Sequence, residues 1–184
     1  MRGDRTRIVV LGVGNLLLKD EGVGVHVVRA LEDERAKRTR RWEATEQAAR
    51  LAGAEIEIID GGTSPDIAFL AQGADTLIVV DAVRAGGPPG SVYRLAPDEV
   101  DAQGCSLASL HQLSLMDNLA IAELLGNQPA HTVIIGIEPE SIEIGLELTE
   151  AVQSRVSDVV EIVLNEVTTA CHRAVAPGRN RDSN

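Results

Sequence analysis

Aromatic side chains are nearly missing from this 184-residue chain, in which Trp42, Phe69 and Tyr93 are the whole set. Surfaces that stack nucleic-acid bases need several such rings. Positive charge is also in deficit: 17 Lys and Arg stand against 28 Asp and Glu, a formal net charge of −11. A chain of that sign repels a phosphate backbone, so nucleic acid is not an expected partner. Cysteine is limited to Cys105 and Cys171, too few for a disulfide framework or a Cys-rich zinc site. A reduced, cytoplasmic setting is the expectation. No run approaches the ~18 apolar residues of a membrane span. The opening MRGDRTR lacks the apolar core and cleavage site of a secretory signal. No membrane association is expected.

What is present is ordinary globular material, long enough for one sizeable core. The expected domain covers residues 1–173, and the alanine-, proline- and polar-rich residues 174–184 read as a frayed tail. Residues 55–59 (EIEII) read as a strand, and 7–11 (RIVVL), 76–80 (TLIVV) and 132–137 (TVIIGI) are short, mostly apolar, β-branched runs. Such runs suit strands buried on both faces, as in parallel sheets. Between them, Val23, Val27, Val28 and Leu31 mark a helix that Asp20 can cap, continuing or restarting through to Leu51 with Gly53 as its stop. Residues 66–72 read as a short helix, 91–95 as a short strand or hairpin arm, and 97–108 as a polar loop. Helices are expected over 110–125, ended by Gly126, and from Thr149 to about His172. Strands alternating with helices give an α/β fold with a mostly parallel, doubly wound central sheet.

In such sheets ligands bind outside the carboxyl ends of the strands. Asp20 and Glu21 follow the first strand, Asp60 and Thr63 the second, and Asp81 the third. His111 opens a helix and falls at the same edge, whereas His131 precedes its strand and falls at the other. Each residue has a plain explanation taken singly: Glu21 suits a helix N-terminus, Asp81 a turn, His111 a helix start. Their convergence at one edge is the signal. Two carboxylates and an imidazole make an N/O site suited to a borderline divalent metal such as nickel or zinc, with positions left for water or substrate.

Other chemistries fit less well. Gly12-Val-Gly14-Asn15 opens like a dinucleotide fingerprint, but the third glycine is missing. Asp20-Glu21 also stands where a pyrophosphate needs amides and positive potential. Neither cysteine has a local helper for a thiol nucleophile. Ser106, Ser109 and Ser114 sit near His111 without a Gly-x-Ser-x-Gly elbow. No HExxH or P-loop is present. The basic stretch Arg35-Ala-Lys37-Arg38-Thr-Arg40-Arg41 reads either as a solvated helix face or as a docking patch.

Five ordered segments then carry a family resemblance. Gly12-Val-Gly14-Asn15-Leu-Leu-Leu-Lys-Asp20-Glu21-Gly22-Val-Gly24, Asp60-Gly61-Gly62-Thr63, Asp81-Ala82-Val83, Ser109-Leu110-His111-Gln112 and Gly136-Ile137-Glu138-Pro139-Glu140 together resemble the hydrogenase maturation endopeptidases, peptidase family M52. The match spans residue 7 to about residue 165. The resemblance implies a three-layer α/β/α sandwich and removal of a C-terminal extension from a [NiFe] hydrogenase large-subunit precursor after nickel insertion. It implies that Glu21, Asp81 and His111 bind metal, with the nickel carried by the precursor and other divalent metals able to enter. Catalytic roles fall on Asp60, Glu21 and Asp81, Asp60 being tied to activity or substrate engagement. A monomer that forms a transient complex is implied as well. Two departures stand out: Pro65 follows Ser64 where the family has a nearby glycine, and the segment 31–53, which holds the basic stretch, is longer. The competing class is a metal-sensing assembly chaperone that binds the same precursor without hydrolysis. An α/β small-molecule binding module is disfavoured by the acidic first loop.

Overall fold

The computed structural model of the chain describes residues 5–64, 67–102, 106–107 and 112–175. The strands are β1 (Thr6–Val13), β2 (Ala54–Gly62), β3 (Thr76–Arg84), β4 (Val92–Leu95), β5 (Ser106–Leu107) and β6 (His131–Ile137). The helices are α1 (Val23–Ala36), α2 (Arg40–Leu51), α3 (Ile67–Leu70), α4 (Pro97–Ala102), α5 (Gln112–Leu124), α6 (Glu150–Gln153) and α7 (Val156–Val175). Five strands form one sheet in the order β2-β1-β3-β6-β4, and β5 pairs with the end of β3. All neighbours in the sheet are parallel except β4, which runs antiparallel to β6.

The continuous apolar runs explain the layers. Successive strand residues point to opposite faces. Ile8, Val10, Ile78, Val80, Val133 and Ile135 pack with residues of α1, α2 and α7. Val9, Leu11, Leu77, Val79 and Ile134 pack on the other side with Ala71, Ala74, Val100 and Leu119. Both faces are therefore covered, as the runs of β-branched residues require, and the fold is a three-layer α/β/α sandwich.

From β1 the chain passes through α1 and α2 on one face to β2. It returns through α3 on the other face to β3, on the far side of β1. The winding thus reverses between β1 and β3, and the crevice beyond their carboxyl ends is the site such a topology provides. A Cβ on Gly24 would lie 2.1 Å from the Val80 carbonyl oxygen and 2.3 Å from that of Val13. Only a glycine lets the first turn of α1 lie directly on these two strand ends.

Of the two forms expected for the first helix, the restart is the one present: Arg38 adopts φ 50° and Thr39 caps α2 by accepting from Trp42 N. Several expectations are revised. β3 does not close at Asp81 but continues to Arg84, and β2 runs on through Asp60 to Gly62. The polar loop after residue 97 begins as α4, with Pro97 at its first position and Glu99 Oε2 accepting from Ala96 N at 2.7 Å. That is the reach-back of a capping box. The last helix is broken between α6 and α7 around Ser154 and Arg155. Among the described residues no helix is long and apolar enough to cross a membrane.

Candidate active site

Glu21 sits in a 3-10 turn, Lys19–Gly22, between β1 and α1. Its side chain folds back onto the loop that precedes it, where Oε2 accepts from Asn15 N at 2.9 Å. Gly14, at φ 139°, makes that return possible, because a Cβ there would lie 2.0 Å from the Glu21 carbonyl oxygen. Glu21 is only 3% exposed. Asp81 lies inside β3 opposite Gly136 of β6, is 1% exposed, and accepts from Ala82 N at 2.8 Å through Oδ1. By strand parity it shares the face of Val79 and Val83, the face that packs with Leu119 of α5.

Two carboxylates are thus buried at the carboxyl edge where the winding reverses. Burial of a carboxylate is tolerated when hydrogen bonds, an opposite charge or a metal compensate it. Oxygen donors of this kind suit a divalent cation of hard or borderline character. His111 lies outside the described residues, as do Ser109 and Pro65. Among the described residues no group of three His, Cys, Asp or Glu side chains is placed to hold a metal. The described part of the expected set is therefore the carboxylate pair.

Asp60 is placed differently. It aligns with Gly12, whose other neighbour in register is Val80 of β3. Parity puts it on the face of Ile58, toward α1, and there Oδ2 lies 3.2 Å from Arg29 Nη2. Its Oδ1 accepts from Gly62 N at 3.1 Å. Asp60 thus shares the edge with Asp81 but lies two strands away and on the opposite face.

Two further buried acids at this edge have structural partners that the sequence did not reveal. Asp20 caps no helix, since α1 begins from Gly22 with no side-chain cap. Instead its fully buried carboxylate accepts four hydrogen bonds from the segment after β6. The donors are Glu140 N at 2.9 Å, Ser141 N at 3.0 Å, Thr149 N at 2.7 Å and Thr149 Oγ1 at 2.9 Å. Glu138 is 7% exposed, and its Oε2 accepts from Ala85 N, Gly87 N and the Tyr93 hydroxyl. Burial, and then that carboxylate, push the Tyr93 phenol above its ordinary pKa. One acid ties the Glu21 loop to the 140–149 segment, and the other ties the end of β6 to the turn after β3 and to β4.

The basic stretch is not a free cationic patch. Arg35 pairs with Glu32, Lys37 with Asp33, Arg38 with Glu43 and Arg41 with Glu34. Glu34 also accepts from the Thr39 hydroxyl, and these partners hold its carboxyl below the usual range, Arg41 first.

Comparison with known proteins gives this edge its context. A model of the family described as "Hydrogenase maturation protease" matches residues 25–166, a span that includes Asp60, Asp81 and His111 and begins four residues after Glu21. The chain is 37% identical to the hydrogenase 2 maturation protease of Escherichia coli, over 86% of this chain and 88% of that protein. It is 36% identical to the hydrogenase expression/formation protein HupD of Thiocapsa roseopersicina, over 89% and 68% respectively. The solved structure of the hydrogenase maturating endopeptidase HybD from E. coli superposes with a TM-score of 0.69 at 32% identity, covering 90% of this chain and 94% of that one. A maturation protease from Thermococcus kodakarensis, 23% identical with a TM-score of 0.65, shares the fold. With the family model spanning most of the sandwich and these likenesses running nearly end to end, the chain belongs to the hydrogenase maturation protease family, whose members are endopeptidases.

Proposed function

We propose that this endopeptidase removes the C-terminal extension of a [NiFe] hydrogenase large-subunit precursor once nickel has been inserted. The observation that carries the reading is the pair Glu21 and Asp81, two nearly fully buried carboxylates from different segments at the switch point. Nickel enters as part of the substrate, and Glu21, Asp81 and His111 are the groups that would recognise it, an O/O/N set fitting a borderline divalent ion. Recognition of the precursor's metal aligns the adjoining peptide bond at the crevice. A cation there polarises a carbonyl or lowers the pKa of a water. The carboxylates near it can hold a proton during hydrolysis. Asp60, held by Arg29 on the far side of β1, is proposed to engage the substrate chain along the edge strand β2. We further propose a cytoplasmic protein that acts as a monomer in transient complex with the precursor.

The test is the intact mass of candidate precursors after incubation with the protein, with and without nickel. Nickel-dependent loss of a short C-terminal peptide is the expected result. Nickel-dependent co-migration without cleavage would replace the reading with that of an assembly chaperone.

A further inference from the structure

Three large apolar side chains stand exposed beside the Glu21 loop: Leu17 at 60%, Ile144 at 88% and Leu146 at 69%. They come from segments far apart in sequence that the backbone joins. Leu18 and Gly145 form a parallel bridge, Gly145 N donates to Leu17 O at 2.9 Å, and Lys19 N donates to Gly145 O at 2.9 Å. Leu17 flanks one bridge residue, and Ile144 and Leu146 flank the other. The pair of segments is held firmly, because Asp20 in the first accepts from Glu140, Ser141 and Thr149 around the second. It is also joined to the candidate site. Leu17 N donates to Asn15 Oδ1, and Asn15 N donates to Glu21 Oε2.

Scattered exposed leucines are ordinary, but large apolar side chains displayed from two bridged segments on a fixed support mark an interaction site. The surroundings state the chemistry of the occupant. Glu140, Glu143, Glu147 and Glu150 are exposed along the same segment, and Lys19, paired with Glu143, brings one positive charge to it. A second copy of this chain, at net charge −11, would set this acidic frame against itself. A basic and apolar surface would be steered toward it.

We infer that Leu17, Ile144 and Leu146 form a docking platform for the hydrogenase precursor, engaging an apolar segment of it flanked by Lys or Arg. The inference rests on the processing reading above. It adds a contact outside the carboxylate pair, linked to Glu21 through Asn15. Such a contact supplies binding that raises kcat/KM through KM.

The experiment compares wild-type protein with the double variant Ile144→Ser/Leu146→Ser. It reads binding to immobilised nickel-loaded precursor and steady-state cleavage of the same precursor. Both residues are exposed, so the variant keeps its melting temperature. Kd and KM are expected to rise at least about tenfold, as for an interface hot spot, with kcat unchanged. The conservative Ile144→Val/Leu146→Met pair should restore tight binding. Glu143→Gln/Glu147→Gln should slow association and weaken its dependence on salt. Wild-type Kd and KM in the serine variant would overturn the platform. If wild-type protein binds the precursor but does not cut it, the processing reading falls while the Kd comparison still decides the platform. If wild-type protein does not bind the precursor, the platform falls.

Discussion

Replacing Asp20 by Asn tests whether one buried acid sets the geometry of the whole carboxyl edge. The native carboxylate accepts from three donors at Oδ2 and one at Oδ1, all in the 140–149 segment. An amide has one acceptor oxygen. In its better orientation it keeps the three donors and turns its NH2 toward Thr149 N, which lay 2.7 Å from Oδ1. One bond to a charged acceptor is lost, about 1.5–3 kcal/mol, and the other three lose charge assistance. A destabilisation of about 3 kcal/mol follows. At this chain length each kcal/mol lowers the melting temperature by about 2–4 °C, so a drop of about 6–12 °C is expected. Asp20→Ala, which removes every acceptor, should fall further. The assay is thermal unfolding by circular dichroism, paired with hydrogen exchange at the Glu140, Ser141 and Thr149 amides. Exchange there should accelerate more than in β1 or β3. A shift under about 2 °C with unchanged exchange at those amides would refute the clamp.

Other perturbations have equally definite outcomes. Tyr93→Phe removes one of three donors from the buried Glu138 carboxylate and should cost about 1 kcal/mol, read by urea unfolding. Burial first, and the Arg29 charge second, lower the His26 pKa below 6.5. The unfolded chain therefore takes up this proton more readily, and stability present above pH 6.5 is lost as pH falls toward the lower folded value. His26→Phe should flatten that part of the stability–pH curve. Loss from Glu34, whose pKa is lowered from 4.5, belongs to more acidic pH and should remain. Neutralising Arg38, Arg40 and Arg41 together should leave precursor cleavage unchanged, since Arg38 and Arg41 already pair with Glu43 and Glu34. A fall in kcat/KM in that variant would restore the docking reading of the basic stretch.

The parts of the fold that were legible in the sequence are those with local causes. The stretches 8–11, 77–80 and 133–135 are apolar at every position because both sheet faces are covered, and such runs announce a parallel sheet by themselves. The rule that ligands meet the strands' carboxyl ends points, without any family likeness, to the edge that carries Asp20, Glu21, Asp60, Thr63, Asp81 and His111. What stayed hidden has distant partners. The donors to Asp20 are 120 to 129 residues away in sequence, and Tyr93 reaches Glu138 across 45 residues. No local pattern distinguishes such an acid from a cap or a ligand. Strand parity separates Asp60 from Asp81, but only once the register with Gly12 and Val80 is known. α4 was hidden by polar composition, although Pro97 followed by Asp98 and Glu99 is a helix-start signal in its own right. The pairing of the basic stretch was partly readable, since Glu32–Arg35 and Asp33–Lys37 stand three and four residues apart.

The central claim is that the buried carboxylates at the switch point form the processing site. Its most direct test is the intact mass of nickel-loaded precursor after incubation with wild-type protein, Glu21→Gln, Asp81→Asn and His111→Ala, each first checked for native secondary structure. The expected result is loss of the C-terminal peptide with wild-type protein and an uncut precursor with all three folded variants. Cleavage at the wild-type rate by Glu21→Gln or Asp81→Asn would contradict the claim and move the chemistry away from this edge.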